Sequence, residues 1–175
     1  DVDGLITDKK DIALTTKNAD CILFLFYDPV TKVFGIVHSG WKGTGIIKEA
    51  IMLANQKYGS APSDFCVVIG PHINDCCYVI NEERATYFAK EFTPDCVKPI
   101  FKNQKIDWNN GEGQLFSLSL LKANLSVLKK IGVKDSNIAI CSDCTCCNQI
   151  FGSNRRETSQ GNSFTVQAAF IYYKN

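Results

Sequence analysis

CILFLFY, residues 21–27, is the most apolar run in the chain, and the residues after it dictate how it pairs. Asp28-Pro29 ends the run as a turn. Residues 31–37 then alternate apolar and polar side chains, so the two segments read as the strands of one hairpin. In that hairpin Cys21, at the head of the first strand, and His38, just past the second, lie at the same end. The chain has only two histidines. A thiol and an imidazole brought together this way are worth explaining.

The remaining elements follow from periodicity. Residues 12–16, 65–69, 137–141 and 164–173 read as strands. Residues 46–58 carry apolar side chains at helical spacing and stop at Gly59. Residues 81–92 form a second helix with Asn81 as its cap, and 116–131 a third, stopped by Gly132. Residues 103–113 are polar and loop-like. A hairpin, then mixed helices and strands, then a closing strand, predicts an α+β domain with a mixed sheet rather than a doubly wound parallel one. The loops at 39–44, 70–78 and 146–156 all follow strands, the usual setting for a site.

At 175 residues, 45% hydrophobic and with a net charge of +1, the chain can bury a core as one domain. That near-neutral charge points away from non-specific nucleic-acid or membrane binding and toward a small-molecule substrate or a protein partner. The longest apolar run is far too short to span a bilayer. Nine cysteines with two adjacent pairs make a poor disulfide framework, so reduced thiols in a cytoplasmic protein are expected. The first residue is Asp1 and the only methionine is Met52, from which a missing N-terminal segment is expected.

Four constellations can carry chemistry. Polar Asp20 before Cys21, and the glycine-rich SGWKG after His38, argue that the Cys–His end faces a cleft rather than the core. Such a pair serves either as a nucleophile with its base or as two ligands of a catalytic metal. GPHINDCCYVI (70–80) opens with a Gly-Pro turn whose free N–H groups suit an anion. His72 is a candidate further ligand there, while Cys76 and Cys77 are expected to pack as small hydrophobes. FGSNRRE (151–157) offers paired arginines for phosphate or carboxylate, with one of the two expected to face the site, and Lys42 is a further cation. CSDCTCC (141–147) contains Cys-x-x-Cys, a zinc half-site for which the sequence shows no matching second pair.

DVDGLIT (1–7), ADC (19–21), HSGWKG (38–43), GPHINDCCYVI, CT (144–145) and FGSNRR (151–156), in this order, resemble the YfiH/YlmD family. That family was formerly labelled multicopper polyphenol oxidase or laccase domain and is now regarded as purine nucleoside phosphorylase. The resemblance runs over essentially the whole chain and implies a single YfiH-like domain at 1–175. It implies an α+β layered sandwich, mixed sheets flanked by helices, related to a toxin deamidase.

It further implies one zinc, held by an upstream histidine, the cysteine of ADC and the histidine of HxGW. Members cleave inosine, guanosine, adenosine and methylthioadenosine with phosphate and also deaminate adenosine. Cys21 and His38 match two of the ligands, and the third is expected upstream of Asp1. Ser153, Arg155 and Arg156 match the family's S-x-R-R pattern, read as substrate or phosphate contacts together with Lys42. The implied partners are nucleosides and phosphate, with no nucleic acid or membrane, in a monomer or small homo-oligomer.

Two further departures touch the anion site: GWKG replaces the more usual GWRG, and Asn162 stands where an arginine is common. A metal-independent Cys–His hydrolase or deamidase, a copper polyphenol oxidase, and a non-catalytic binding role are the alternatives. Two histidines cannot build the several copper centres of a laccase.

Overall fold

The computed structural model describes residues 2–101 and 114–174. Its centre is the expected hairpin: β3 (Ile22–Tyr27) pairs antiparallel with β4 (Phe34–Ser39), Ile22 opposite Ser39 and Tyr27 opposite Phe34. The strand is apolar because both its faces are covered; Ile22, Leu23, Phe24 and Phe26 are each at most 2% exposed. Beyond β4 lies β1 (Gly4–Thr7), and beyond β3 lies β5 (Cys66–Ile69), both antiparallel. The strand β9 (Ile138–Ile140) runs parallel to β5 and completes a mixed five-stranded sheet in the order β1-β4-β3-β5-β9.

Alternation along β4 divides the packing. Val37 joins the main core with Ile47, Ile51 and Ala54 of α1 (Ile46–Tyr58) and Ala123, Val127 and Leu128 of α3 (Leu120–Lys130). Phe34 and Ile36 face the other way, onto Leu14 of β2 (Ala13–Asn18) and Ile171 of β10 (Gln167–Tyr172), which form a two-stranded antiparallel sheet. The result is a layered α+β sandwich, as the family resemblance implied. A third sheet, β6 (Val79–Asn81), β8 (Leu115–Leu118) and β7 (Val97–Ile100), is antiparallel and accompanies α2 (Glu82–Glu91).

The first helix has the bounds its periodicity predicts, and Gly59 closes it at φ +74°, a left-handed cap suited to glycine. Asn81 caps α2 by accepting from the Arg84 backbone N–H at 3.1 Å. The predicted helix at 116–131 is too long. Phe116–Leu118 belong to β8, and Ser119 starts the helix by accepting from the Lys122 N–H at 3.2 Å. A short helix, α4 (Asn154–Ser159), begins inside the segment read as loop. The loop expected at 103–113 lies outside the described residues.

Candidate functional site

Register brings the two predicted residues together. Because Ile22 pairs with Ser39, Cys21 stands beside Gly40, two positions past His38. A Cβ placed on Gly40 would sit 3.3 Å from Cys21 Sγ and 3.8 Å from His38 Cε1, so both side chains border one small space that glycine keeps open. The loop after His38 is held in shape by Ser39 Oγ, which donates to the Gly43 carbonyl at 3.1 Å, and Thr44 Oγ1, which donates to that of Gly40 at 3.1 Å. Buried Asn124 of α3 accepts from the Gly45 N–H at 3.0 Å and ties the loop to the helix layer.

The edge strand β1 does more than extend the sheet. The Asp3 carbonyl accepts from the His38 backbone N–H at 2.7 Å, and the Asp3 carboxylate lies 3.3 Å from His38 Nδ1. With Nδ1 engaged, Nε2 is the nitrogen left for a ligand. Cys21 is a thiol at neutral pH: burial, then the charges of Asp20 and Asp3, push its pKa up to about 11. A free nucleophilic cysteine needs the opposite shift.

Cys21 and His38 line a cleft of about 520 Å³ together with Trp41, Tyr78, Arg84 and Arg155. Arg155 is the arginine of the pair that reaches it. Its Nη1 is buried without a hydrogen-bond partner among the described residues, and its guanidinium lies 5.4 Å from the centre of the Tyr78 ring. Arg84, in the first turn of α2 and not singled out by any motif, stacks on Trp41 at 3.9 Å. Burial raises the Tyr78 pKa against the opposing pull of Arg84 and Arg155, so the ring keeps its hydroxyl.

The other predicted anion contacts are placed differently. Arg156 is spent on the backbone, donating to the carbonyls of Thr145 and Phe151, both at 2.6 Å, and to Glu157 at 2.9 Å. Ser153 is fully buried and caps α4 through the Arg156 N–H at 3.1 Å. Lys42 is exposed, its Nζ 5.4 Å from the Trp41 ring centre, and does not line the cleft. His72 is also away from the cleft lining. It is fully buried, its Nδ1 donates to the Gly70 carbonyl at 2.8 Å, and burial outweighs that bond to lower its pKa.

Asp20 lines the cleft beside Cys21, as expected, but its carboxylate is engaged by the protein rather than free. It is 7% exposed, adopts φ +80°, and accepts from Thr145 Oγ1 at 2.7 Å and from the Arg155 backbone N–H at 2.6 Å. It therefore sets where α4 begins. Behind this wall Cys76, Cys77, Cys144 and Cys147 bring four sulfurs within 4.8 Å of one another, a group able to hold a metal ion.

The chain is a layered α+β sandwich with a Cys–His pair at one hairpin end, bordering an arginine-bearing cleft. Residues 1–173 match the family described as multi-copper polyphenol oxidoreductase laccase, and the chain belongs to that family. It is 33% identical over 159 residues to the purine nucleoside phosphorylase YlmD of Geobacillus stearothermophilus, covering 89% of this chain and 55% of that protein. A purine nucleoside phosphorylase of Clostridium acetobutylicum is 34% identical over 166 residues, covering 93% of this chain and 65% of that one. The crystal structure of Bacillus licheniformis YfiH superposes with a TM-score of 0.84 at 31% identity, covering 98% of this chain and 61% of that one. The chain thus spans little more than half the length of the Geobacillus relative. Among the described residues no helix is long and apolar enough to cross a membrane.

Proposed function

We propose that this chain carries the catalytic cleft of a purine nucleoside phosphorylase, which exchanges the base of inosine, guanosine, adenosine or methylthioadenosine for phosphate. The observation that carries this reading is the unpartnered Nη1 of Arg155, a buried donor on the wall shared with Cys21 and His38. A buried guanidinium donor left unsatisfied is costly, and a phosphate oxygen is the natural acceptor. The names of the relatives support the same substrate class.

The roles follow from placement. Arg155, with Arg84 also on the cleft wall, holds the phosphate dianion and orients an oxygen toward C1′ of the ribose. The faces of Trp41 and Tyr78 suit a purine ring. As the glycosidic bond breaks, positive charge grows on the sugar, and the held dianion stabilises it while being placed to attack. A departing purine carries away the bond's electron pair and takes up a proton. Lys42, Ser153 and Arg156 act in this account from outside the cleft, the last two by shaping the loop that presents Arg155.

Cys21 and His38 suit a zinc ion: a sulfur and an imidazole nitrogen bordering the space over Gly40 are a zinc-type donor pair. The third ligand is proposed to be a histidine preceding Asp1. When bound, zinc supplies a Lewis acid and a water acidic enough to act as hydroxide near neutral pH, the chemistry that adenosine deamination needs. A metal-free cysteine hydrolase would need Cys21 as a ready thiolate, which the pKa of about 11 opposes. Arg155→Ala tests the reading: turnover at low phosphate should fall at least tenfold and partly recover at high phosphate. Unchanged phosphate dependence would remove Arg155 from the site.

A further inference from the structure

Two turns meet behind the cleft, each presenting a pair of cysteines. In the first, the Asn74 carbonyl accepts from the N–H groups of Cys77 and Tyr78, both at 3.0 Å, which shapes the turn that carries Cys76 and Cys77. In the second, the Cys144 carbonyl accepts from Cys147 and Asn148 at 3.1 and 2.9 Å. The turns are fastened to each other. The Thr145 N–H donates to the His72 carbonyl at 3.0 Å, and the Asn74 side-chain amide donates to the Ser142 carbonyl at 2.9 Å. The Arg156 guanidinium grips the second turn from behind, at the carbonyls of Thr145 and Cys146.

What converges is sulfur. Cys77 and Cys147 are 3.3 Å apart at Sγ, Cys76 and Cys147 3.7 Å, and Cys76 and Cys77 3.8 Å; all four sulfurs, Cys144 included, lie within 4.8 Å of one another. Four thiolates tetrahedral about zinc at its usual zinc–sulfur distance have sulfur–sulfur edges of about 3.8 Å. The Asn74 backbone N–H points at Cys144 Sγ from 3.4 Å, a donor of the kind that supports a metal-bound thiolate. Cys77 and Cys144 are buried while Cys76 and Cys147 are exposed, so the group can be reached from the surface. The Cys-x-x-Cys of the second turn thus finds in Cys76-Cys77 the second pair that the linear sequence hid.

We propose that Cys76, Cys77, Cys144 and Cys147 bind a zinc ion in a closed, four-thiolate structural site, separate from the Cys21–His38 cleft. Each bound thiol gives up its proton, and no oxidation is involved. The ion staples the two turns that carry Tyr78 into the cleft and Thr145 onto Asp20, so it fixes the cleft wall without touching substrate. The proposal does not depend on the phosphorylase reading.

Cobalt(II) substitution in Cys21→Ala tests it, because that variant removes the cleft's own thiolate. The expected result is an intense sulfur-to-cobalt charge-transfer band with the visible bands of tetrahedral cobalt. That signal should survive the added change Cys141→Ser and disappear with Cys147→Ser. Zinc content of the purified chain should follow the same pattern. Absence of the charge-transfer band in well-folded Cys21→Ala, or its persistence after Cys147→Ser, would overturn the proposal. So would mass spectrometry of the chain as purified, without reductant or chelator, that finds no zinc and Cys77 joined to Cys147 as a disulfide.

Discussion

The Asp20 carboxylate accepts the backbone N–H of Arg155 at 2.6 Å across 135 residues of sequence. One buried side chain thereby connects the head of β3, where Cys21 sits, to the start of α4, where Arg155 turns into the cleft. Its second oxygen holds Thr145, so the metal-ligand end and the anion end of the proposed site share a single anchor. Asp20→Ala should cost about 3 kcal/mol, the scale of losing hydrogen bonds to a buried carboxylate, with added strain from a left-handed backbone. Asp20→Asn, which tolerates that backbone and keeps one acceptor oxygen, should lose less. Urea denaturation of both variants measures this, and equal stability of Asp20→Ala and the parent would refute the anchor.

The adjacent arginines should separate cleanly. Arg156→Ala strands the Thr145 and Phe151 carbonyls and should lower stability by about 2–4 kcal/mol. Arg155→Ala should leave stability nearly unchanged and act on turnover, because its Nη1 has no hydrogen-bond partner among the described residues to lose. Paired denaturation and kinetic curves decide the matter; the reverse assignment would show that the wrong arginine has been placed in the cleft.

Cys21 reactivity should report its environment. In metal-free protein the alkylation rate at Cys21, followed by peptide mapping, should rise about tenfold per pH unit until the titration near pH 11. The sign follows from the raised pKa: at lower pH the folded chain holds the thiol protonated and unreactive. A plateau reached by pH 7 would mean a thiolate is already present, and would revive the cysteine-nucleophile reading.

Gly40→Ala adds a methyl 3.3 Å from Cys21 Sγ in the space between the two donors. Folding should survive, since the φ of Gly40 is not in the left-handed region. Zinc affinity at the cleft should drop about tenfold or more, as judged by chelator competition in a chain whose Cys76–Cys147 sulfurs are already blocked or loaded. Undiminished affinity would place the metal elsewhere.

Local signals carried much of this fold. The apolar run of β3, its turn and the alternation after it placed Cys21 and His38 at one end, and the α1 periodicity with Gly59 gave that helix both ends. Signals failed where three or four residues had to declare a strand. Leu115–Leu118 continue smoothly into the α3 pattern, and only the Ser119 cap separates them. The site was legible in its motif residues and hidden in its supports. Nothing local shows that Asp20 reaches Arg155, that Arg156 is consumed by carbonyls, or that Arg84 stacks on Trp41. Two cysteine pairs about seventy residues apart become one cluster only when β5 and β9 lie side by side and deliver the turns after them to one place.

The most direct measurement is phosphate-dependent release of free base from inosine, adenosine and methylthioadenosine by the full gene product, with Cys21→Ala and chelator-treated protein beside it. The account predicts base and ribose 1-phosphate only when phosphate is present, with loss of activity in both controls and hypoxanthine or inosine formed from adenosine. Folded, zinc-loaded protein that releases no base at any phosphate concentration would contradict it.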